Sequence, residues 1–555
     1  MLESVAIKGR QLETMDITDW TQLDNFVFTL AERILPSYLP KCRWFRSKTK
    51  AIDDIKIHNY PSLPSYETSS EQQSAYLLCL EVTYIDASQE SYFLPITLVR
   101  DQQRLLNFSQ IQPQAIICKV LSGGEEVALV DAIYDVNFRK TLFQSVRDTI
   151  QVSNEKGTIR CETGSMLKAD QIAKADITSK VLNADQSNTA IIYNDQYFLK
   201  IYRKLEYGLN PDLEIVRFLS EHTTFDNSPK YGGSLVFLST GKRPIIIGLI
   251  QNKIINKGDA WETVLKDLSD YYQRVLSVGE ESLPKLVHKD RLYYMDIPHR
   301  FRPIFSRATY KRVTLLAQRT AEMHIALASD QETEGFTPVL FRPKDRAALY
   351  EGQAHLVKDQ LQALQQGLTM FPEEIAQEAQ KVIAAEARIL KILEEIASRP
   401  IDATQTRVHG DYHLGQVLDS GEDFYIIDFE GEPLRDIEER RYKTSPFKDV
   451  AGMIRSFHYA AYGELYLHAA KYNKAQLAQL EDWAAVWFHY ASRCFLTAYF
   501  DRAEGQAFIP KNKTQLSLLL RTFILEKAIY ELGYEMNARP DWLKIPLRGV
   551  LYELG

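Results

Sequence analysis

The segment RVHGDYHLGQVLDSGEDFYIIDFEGEP, residues 407–433, determines how this chain is interpreted. Two short apolar runs at 416–418 and 424–429 flank the turn-forming sequence DSGED. Apolar runs joined by Asp, Ser and Gly are typical of a β-hairpin. The segment therefore predicts a hairpin with charged and polar side chains at both ends.

The register of this hairpin predicts a cation site. With the turn centred on Gly421, Gln416 lies opposite Ile426 and shares a face with Asp428. Diagonal neighbours across a hairpin are about 7–8 Å apart, so an amide and a carboxylate are expected to lean together. Oxygen ligands suit Mg²⁺, which keeps positions open for phosphate and water.

The spacing before the hairpin is that of a phosphoryl-transfer loop. Asp411 follows His409 and Gly410 directly and precedes Gln416 by five positions, which matches the catalytic base and metal-ligand spacing of kinases. A single loop aspartate is more often a turn or cap residue, but the combination with the hairpin and Asp428 favours catalysis. We expect His409 to brace the loop and His413 either to brace it or to contact substrate.

Composition sets the broader class. The chain has 555 residues, and its 45% hydrophobic and 25% charged content is that of a globular protein. At about 150 residues per domain it should hold three or four structural units. The net charge of −7 does not favour nucleic acid or an anionic membrane as partner. The absence of a basic, apolar leader and the five scattered cysteines predict a cytoplasmic protein.

The pattern of apolar residues changes along the chain and predicts an α+β, two-lobed fold. Residues 1–135 are β-rich, residues 136–255 are mixed, and residues 256–555 are strongly helical. Helices are expected at 20–33, 372–400, 448–471 and 516–537. We expect these three ranges to form separate subdomains with the ligand site in a cleft, where ligand sites commonly lie.

The second range carries the candidate nucleotide site. Strands are predicted at 190–193 and 197–202, and Lys200 ends an apolar run. A lysine on such a strand neutralises nucleotide phosphates when a carboxylate holds it. Glu214, in the first turn of a helix predicted to begin at Asn210 and Pro211, is the candidate partner. Taken singly, both residues also fit a solvated charge and a residue that compensates the helix dipole.

Two further segments are candidates for nucleotide contact. No GxGxxG precedes the lysine, and the polar residues Gln186, Ser187, Asn188 and Thr189 stand at the hairpin entrance instead. Their side chains and backbone N–H groups suit phosphates, although a plain polar turn has the same composition. The stretch 248–255 should join the lobes and place Gln251 beside the adenine.

These motifs together carry a family resemblance. HGDYHLGQVL (409–418) followed by DFEGEP (428–433) is a specific combination, because most kinases of this build have Asn in place of Gln. With CRWFRSKTK (42–50), GLNPDLEIVRFLSE (208–221) and EKAIYELGYEMNARPDWLKIPL (526–547), the chain resembles bacterial maltokinases. The resemblance implies a bilobal protein-kinase-like fold, shared with aminoglycoside phosphotransferases, with an N-terminal cap and a helical C-lobe.

The resemblance also implies a reaction: ATP-dependent phosphorylation of the anomeric hydroxyl of maltose, giving maltose 1-phosphate and ADP. It implies Asp411 as the base, Gln416 and Asp428 as Mg²⁺ ligands, and Lys200 with Glu214 at the phosphates. Maltokinases act in trehalose and glycogen metabolism, so trehalose synthase is the expected partner. The chain is not expected to contain that enzyme fused to it.

Sugar recognition calls for aromatic faces and charged groups that bind hydroxyls. The matching C-terminal stretches and the motif supply suitable residues, namely His413, Glu430, Arg440, Arg455, Lys527, Tyr530, Glu531 and Trp542. Each of them also fits helix packing or a salt bridge.

Two alternatives stay open. A kinase of the same fold acting on glucosamine or an aminoglycoside would carry the same motifs. A catalytically inactive module that regulates a trehalose synthase is disfavoured, because such a module has no need for the base, the metal ligands and the phosphate lysine together.

Overall fold

The computed structural model describes residues 12–17, 19–20, 24–59, 61–63, 75–122, 125–155, 157–168, 177–182, 188–278, 297, 299 and 301–555. The chain forms two compact units. The first comprises Met1–Glu221 with Pro229–Lys253, and the second comprises His222–Ser228 with Ile254–Gly555. Among the described residues, no helix combines the length and the apolarity required to cross a bilayer.

The first unit begins with an eight-stranded sheet. Its path runs through Thr14–Asp16, Ile116–Ser122, Glu125–Asp131, Gln89–Val99, Ala75–Tyr84 and Ile52–Asn59. Two short strands pair with its central strands: Lys204–Leu205 with Gln89–Val99, and Ser62–Leu63 with Ala75–Tyr84. The first strand of this path pairs in parallel with its neighbour, whereas the other pairs are antiparallel. Helical segments around it are Asp24–Thr29, Leu30–Ile34 (π), Leu35–Tyr38, Leu39–Lys41 (3-10), Gln102–Ile111, Pro113–Ala115 (3-10) and Ala132–Tyr134 (3-10). The β-rich start of the chain is thus confirmed, and the helix expected at 20–33 begins at Asp24 and continues to Tyr38.

A second, seven-stranded antiparallel sheet completes the first unit. Its order is Ser179–Val181, Thr189–Tyr193, Tyr197–Ile201, Ile245–Asn252, Tyr231–Leu238, Gly157–Thr163 and Gln151–Asn154. The helices beside it are Val136–Arg147, Ser165–Lys168 and Pro211–His222. Leu77 and Phe93 of the first sheet lie in one buried cluster with Phe143, Tyr193 and Leu199, so the two sheets share a core.

A buried ion pair joins these two sheets. The side chains of Arg203 and Asp131 are fully buried, with 2.7 Å between Nη2 and Oδ2. The same guanidinium donates to Thr189 Oγ1 at 2.9 Å and to the Phe93 carbonyl at 3.3 Å, and it lies 4.8 Å from the ring centre of Trp44. A buried charge is stable only when polar partners compensate it. These contacts therefore hold the chain after the Tyr197–Ile201 strand against the first sheet.

The second unit is mainly helical. Its α-helices are Ala260–Val278, Arg302–Phe305, Arg307–Leu327, Pro343–Gly367, Glu373–Ala384, Glu386–Ser398, Phe447–Leu467, Lys474–Arg502, Lys513–Ala538 and Lys544–Leu554. Its 3-10 turns are Leu368–Met370, Leu414–Gln416, Glu439–Arg441, Ala469–Lys471 and Pro540–Trp542. The described residues of this unit also form two small two-stranded sheets: Val339–Leu340 pairs with Thr404–Gln405, and Val417–Asp419 forms a hairpin with Phe424–Ile426.

The helices predicted in this part occur with one correction. The run 372–400 forms two helices, because the chain departs from helical geometry at Ala385. The other two predicted helices are confirmed as Phe447–Leu467 and Lys513–Ala538. The helical second unit after a β-rich first part agrees with the predicted fold class.

Candidate active site

The backbone of the HGD loop, residues 407–416, is held by a buried carboxylate from another element. Asp449, in helix Phe447–Leu467, accepts the backbone N–H groups of His409 at 2.7 Å and Gly410 at 2.9 Å. Its carboxylate also lies 3.0 Å from Nε2 of His324. Gly410 has a φ of 90°, and a Cβ there would lie 3.2 Å from Cα of Gly431. The motif therefore requires glycine at this position.

Further buried contacts support this carboxylate. Nδ1 of His324 is 2.8 Å from the hydroxyl of Tyr499, and the hydroxyl of Tyr412 is 2.8 Å from that of Thr320. Burial alone would raise the pKa of Asp449, but its hydrogen bond to His324 and the charge of that ring lower it below the usual value. The sequence predictions assigned no role to Asp449 or His324. The available signal was a polar residue at a buried helix position.

Asp411 pairs with a lysine from a distant helix. Nζ of Lys527, in helix Lys513–Ala538, lies 3.3 Å from Oδ1 of Asp411. Burial by itself would raise the pKa of Asp411, but the positive charge around it, that of Lys527 first, lowers the pKa below its usual value. Asp411 is therefore ionised at neutral pH and can accept a proton. Lys527, predicted as a sugar contact, lies at the candidate base.

The hairpin after the loop has a different register from the predicted one. Its turn spans residues 420–423, closed by a hydrogen bond from Ser420 N–H to the Asp423 carbonyl at 2.9 Å. Its centre consequently falls after Gly421, and Ile426 pairs with Val417. The predicted register was wrong by one residue, because a four-residue turn has its midpoint between two residues.

Gln416 and Asp428 therefore do not share a strand face, although the backbone of Gln416 lies beside the residue that precedes Asp428. Gln416 ends a 3-10 turn, and its carbonyl accepts the backbone N–H of Ile427 at 3.0 Å. Asp428 has left the strand and adopts a φ of 65°, a conformation that few non-glycine residues take. Nε2 of His409 lies 2.9 Å from the Ile427 carbonyl, so the HGD loop directly contacts the residue before Asp428.

The chemistry of this corner suits a hard cation. A carboxylate oxygen of Asp428 and one of Glu430 lie within 4.8 Å of each other. Carboxylate oxygens are ligands that Mg²⁺ prefers, and the side-chain amide oxygen of Gln416 is a further predicted donor. The strained φ at Asp428 is of the kind that concentrates at ligand sites. The ligand roles themselves stay predictions.

Both histidines of the loop make contacts within the protein, and contact of His413 with a substrate stays a prediction. Nδ1 of His413 accepts the backbone N–H of Gly415 at 3.1 Å. Burial lowers the pKa of His413, although Asp411 and Asp428 both oppose this shift, so the ring is neutral. The His409 ring packs against Phe429 with 4.9 Å between ring centres.

The remaining sugar candidates are engaged in protein contacts. Arg455 and Glu531 form an ion pair with 2.6 Å between Nη2 and Oε2, and both side chains are nearly buried. Nε of Arg440 donates to the Arg435 carbonyl at 3.0 Å. The Trp542 ring lies 4.4 Å from the guanidinium carbon of Arg539. Tyr530 lies under the Lys527 ammonium, 5.0 Å from Nζ. Their contact with a sugar stays a prediction.

In the first unit, Lys200 pairs with a residue that the prediction missed. Its Nζ lies 3.0 Å from Oδ2 of Asp212, which also accepts the Tyr202 hydroxyl at 2.9 Å. Asn210 caps the helix through the Asp212 N–H at 2.8 Å, as predicted. Asp212, the second residue of the capped helix, therefore lies beside Lys200 of strand Tyr197–Ile201. The predicted pairing of Lys200 with Glu214 stays a prediction.

The other nucleotide candidates divide into described and undescribed residues. Gln186 and Ser187 lie outside the described residues. The Thr189 hydroxyl accepts from Arg203, and Asn188 precedes it at the strand entrance. Gln251 lies in strand Ile245–Asn252, and its buried Oε1 has no hydrogen-bond partner among the residues that the structure describes. Such a buried carbonyl suits a ligand donor.

Known proteins resemble this chain in several ways. Residues 38–135 match the maltokinase N-terminal cap domain. A glucosamine kinase from Mycolicibacterium smegmatis is 31% identical over 138 residues, which is 25% of this chain and 32% of that protein. A glucosamine kinase from Streptacidiphilus jiangxiensis is 22% identical over 367 residues, 65% of this chain and 70% of that protein. The first match therefore spans about a third of its relative's length.

A solved structure extends the similarity to nearly the whole chain. The structure of a glucosamine kinase in complex with glucosamine, ADP and inorganic phosphate has a TM-score of 0.59. It is 17% identical and covers 93% of this chain and 98% of that one. The predicted resemblance to maltokinase-like kinases and the protein-kinase-like fold are confirmed. Both sequence relatives and this structure are named as glucosamine kinases.

Proposed function

We propose that this protein transfers the γ-phosphoryl group of ATP to the anomeric hydroxyl of maltose, giving maltose 1-phosphate and ADP. The proposal depends on one observation above the others. An ionised Asp411 stands in a loop whose backbone is held by hydrogen bonds to Asp449, and the same stretch of chain carries Gln416 and Asp428, the proposed Mg²⁺ ligands. The cap-domain match at residues 38–135 favours maltose over other acceptors.

The proposed chemistry relies on positioning and charge. Asp411 orients the sugar hydroxyl and accepts its proton as the new P–O bond forms and the bond to the leaving ADP breaks. A strong base is unnecessary because the transition state is loose. The hydrogen bonds from the HGD loop to Asp449 hold the Asp411 carboxylate in place, and a reaction that depends on orientation requires such a fixed position.

The proposal assigns one residue to the nucleotide phosphates and two to the metal ion. Lys200, kept extended by Asp212 at 3.0 Å, would neutralise the α and β phosphates. Gln416 and Asp428 would hold Mg²⁺, with Glu430 nearby. When bound, Mg²⁺ supplies neutralisation of phosphate charge. Trehalose synthase is the proposed source of maltose.

The proposal is tested with purified protein, ATP, Mg²⁺ and a panel of sugars, followed by phosphorus NMR of the product. We expect a phosphate on the anomeric carbon of maltose. Asp411→Asn should lower turnover about a hundredfold to ten-thousandfold, the usual contribution of a general base, while ATP still binds. The exposed Asp402→Asn serves as the matched control. Near-normal turnover of Asp411→Asn would show that the proposed base is wrong.

Glucosamine is the second candidate acceptor, because the relatives with sequence and structural similarity carry that name. The same panel separates the two candidates. If kcat/KM is higher for glucosamine than for maltose, glucosamine is the acceptor, and the proposed reaction type stays the same.

A further inference from the structure

The position of Lys527 bears on which acceptor the site accepts. Its Nζ lies 3.3 Å from the Asp411 carboxylate and 5.0 Å from the ring centre of Tyr530. Its side chain is 22% exposed and that of Asp411 is 25% exposed, so both groups are reachable by a small ligand. An acceptor whose hydroxyl approaches Asp411 therefore comes near a fixed ammonium.

This ammonium stays charged. Burial alone would lower the pKa of Lys527, but Asp411 first, then Glu432 and Glu531, raise it well above the usual value. The cation–π contact with Tyr530 favours the charged form as well. Lys527 is therefore a permanent positive charge beside the candidate base.

Besides Asp411, two carboxylates act on Lys527, and both already have other cations. Glu432 accepts from Arg435 and lies 3.6 Å from Lys448. Glu531 is paired with Arg455. An additional cation at this position would repel Lys527 and compete with it for Asp411, while Glu432 and Glu531 already compensate Arg435, Lys448 and Arg455.

We infer that Lys527 makes the acceptor site select uncharged sugars over amino sugars. The inference rests on the proposed function, and it makes Lys527 a specificity-determining residue. Like charges brought together at a binding site strongly disfavour the wrong partner. Glucosamine, with an ammonium where glucose has a hydroxyl, should be the poorer acceptor of the two.

Glucose and glucosamine form a matched pair for the test, since they differ in one group. We expect the wild-type kcat/KM to favour glucose and maltose over glucosamine. Lys527→Gln removes the charge and should raise the glucosamine-to-glucose ratio about tenfold or more, even if both rates fall because Asp411 loses its partner. Lys527→Arg keeps the charge and should keep the wild-type preference.

Calorimetric titration of the same two sugars measures the preference without turnover. It decides the inference even if no sugar is phosphorylated, an outcome that would overturn the proposed function alone. A wild-type preference for glucosamine would refute the role of Lys527. So would a ratio that Lys527→Gln changes by less than about twofold, or a failure of both sugars to bind.

Discussion

Loss of the Arg203 side chain should destabilise the first unit severely. Arg203→Met removes three hydrogen bonds, to Asp131, Thr189 and the Phe93 carbonyl, at 2.7, 2.9 and 3.3 Å. Both members of the ion pair are fully buried, so Asp131 is left as an uncompensated charge. Breaking a buried pair by removing one partner costs about 3–5 kcal/mol. We expect the free energy of unfolding of this unit to fall by that amount.

Urea unfolding followed by tryptophan fluorescence measures this change, because Trp44 stacks on the guanidinium at 4.8 Å and reports locally. Arg217→Gln is the matched control, since Arg217 is 51% exposed and its ion pairs lie at the surface. It should leave the unfolding midpoint almost unchanged. The double variant with Asp131→Asn should lose less than the sum of the two single losses, because the two residues interact directly.

The pH dependence provides an independent check. Burial raises the pKa of Asp131 and Arg203 opposes that shift, so removing Arg203 raises the pKa further. A raised native pKa means that protonation favours the folded state. The penalty of Arg203→Met should therefore shrink as the pH falls toward the ordinary aspartate pKa of about 4. Two results would refute a stabilising Arg203–Asp131 pair. One is a decrease in the unfolding midpoint of Arg203→Met no larger than that of Arg217→Gln. The other is a loss of unfolding free energy in the double variant that equals the sum of the two single losses.

Three further outcomes are expected. Asp449→Asn should lower kcat more than it changes the KM for ATP, because the substitution loosens the HGD loop. The native pKa of Asp449 is lowered, so the stability that its carboxylate contributes is present above about pH 4 and is lost as the pH falls through the native pKa. Acid unfolding of the wild type and the variant would detect this loss. Gly410→Ala should destabilise the loop by about 1–3 kcal/mol and lower turnover, as measured by thermal unfolding and steady-state kinetics, because φ is 90° and Gly431 is close. Asp428→Ala should weaken nucleotide binding in the presence of Mg²⁺ far more than in its absence, and equal effects in calorimetry would exclude Asp428 as a metal ligand.

The amino-acid sequence determined the local features of this protein. Alternation of apolar residues and turn-forming dipeptides depends on neighbours a few positions apart, so the strands and helices were largely predictable. The helix cap at Asn210 followed from its residue type and the proline after it. The HGD loop and the hairpin were recognised because their spacing within about 25 residues is itself the signal.

The tertiary structure decided which side chains meet. Lys527 contacts Asp411 across 116 positions of sequence, and Arg203 contacts Asp131 across 72. Such pairs follow from how helices and sheets pack, and no local pattern encodes them. The pairing of Lys200 with Asp212 depended on the direction in which the capped helix turns its first residues. The sequence therefore determined which chemical groups the candidate site contains. Packing determined which opposite charge each of these groups meets, because electrostatic interactions depend on distance in space rather than on separation in sequence.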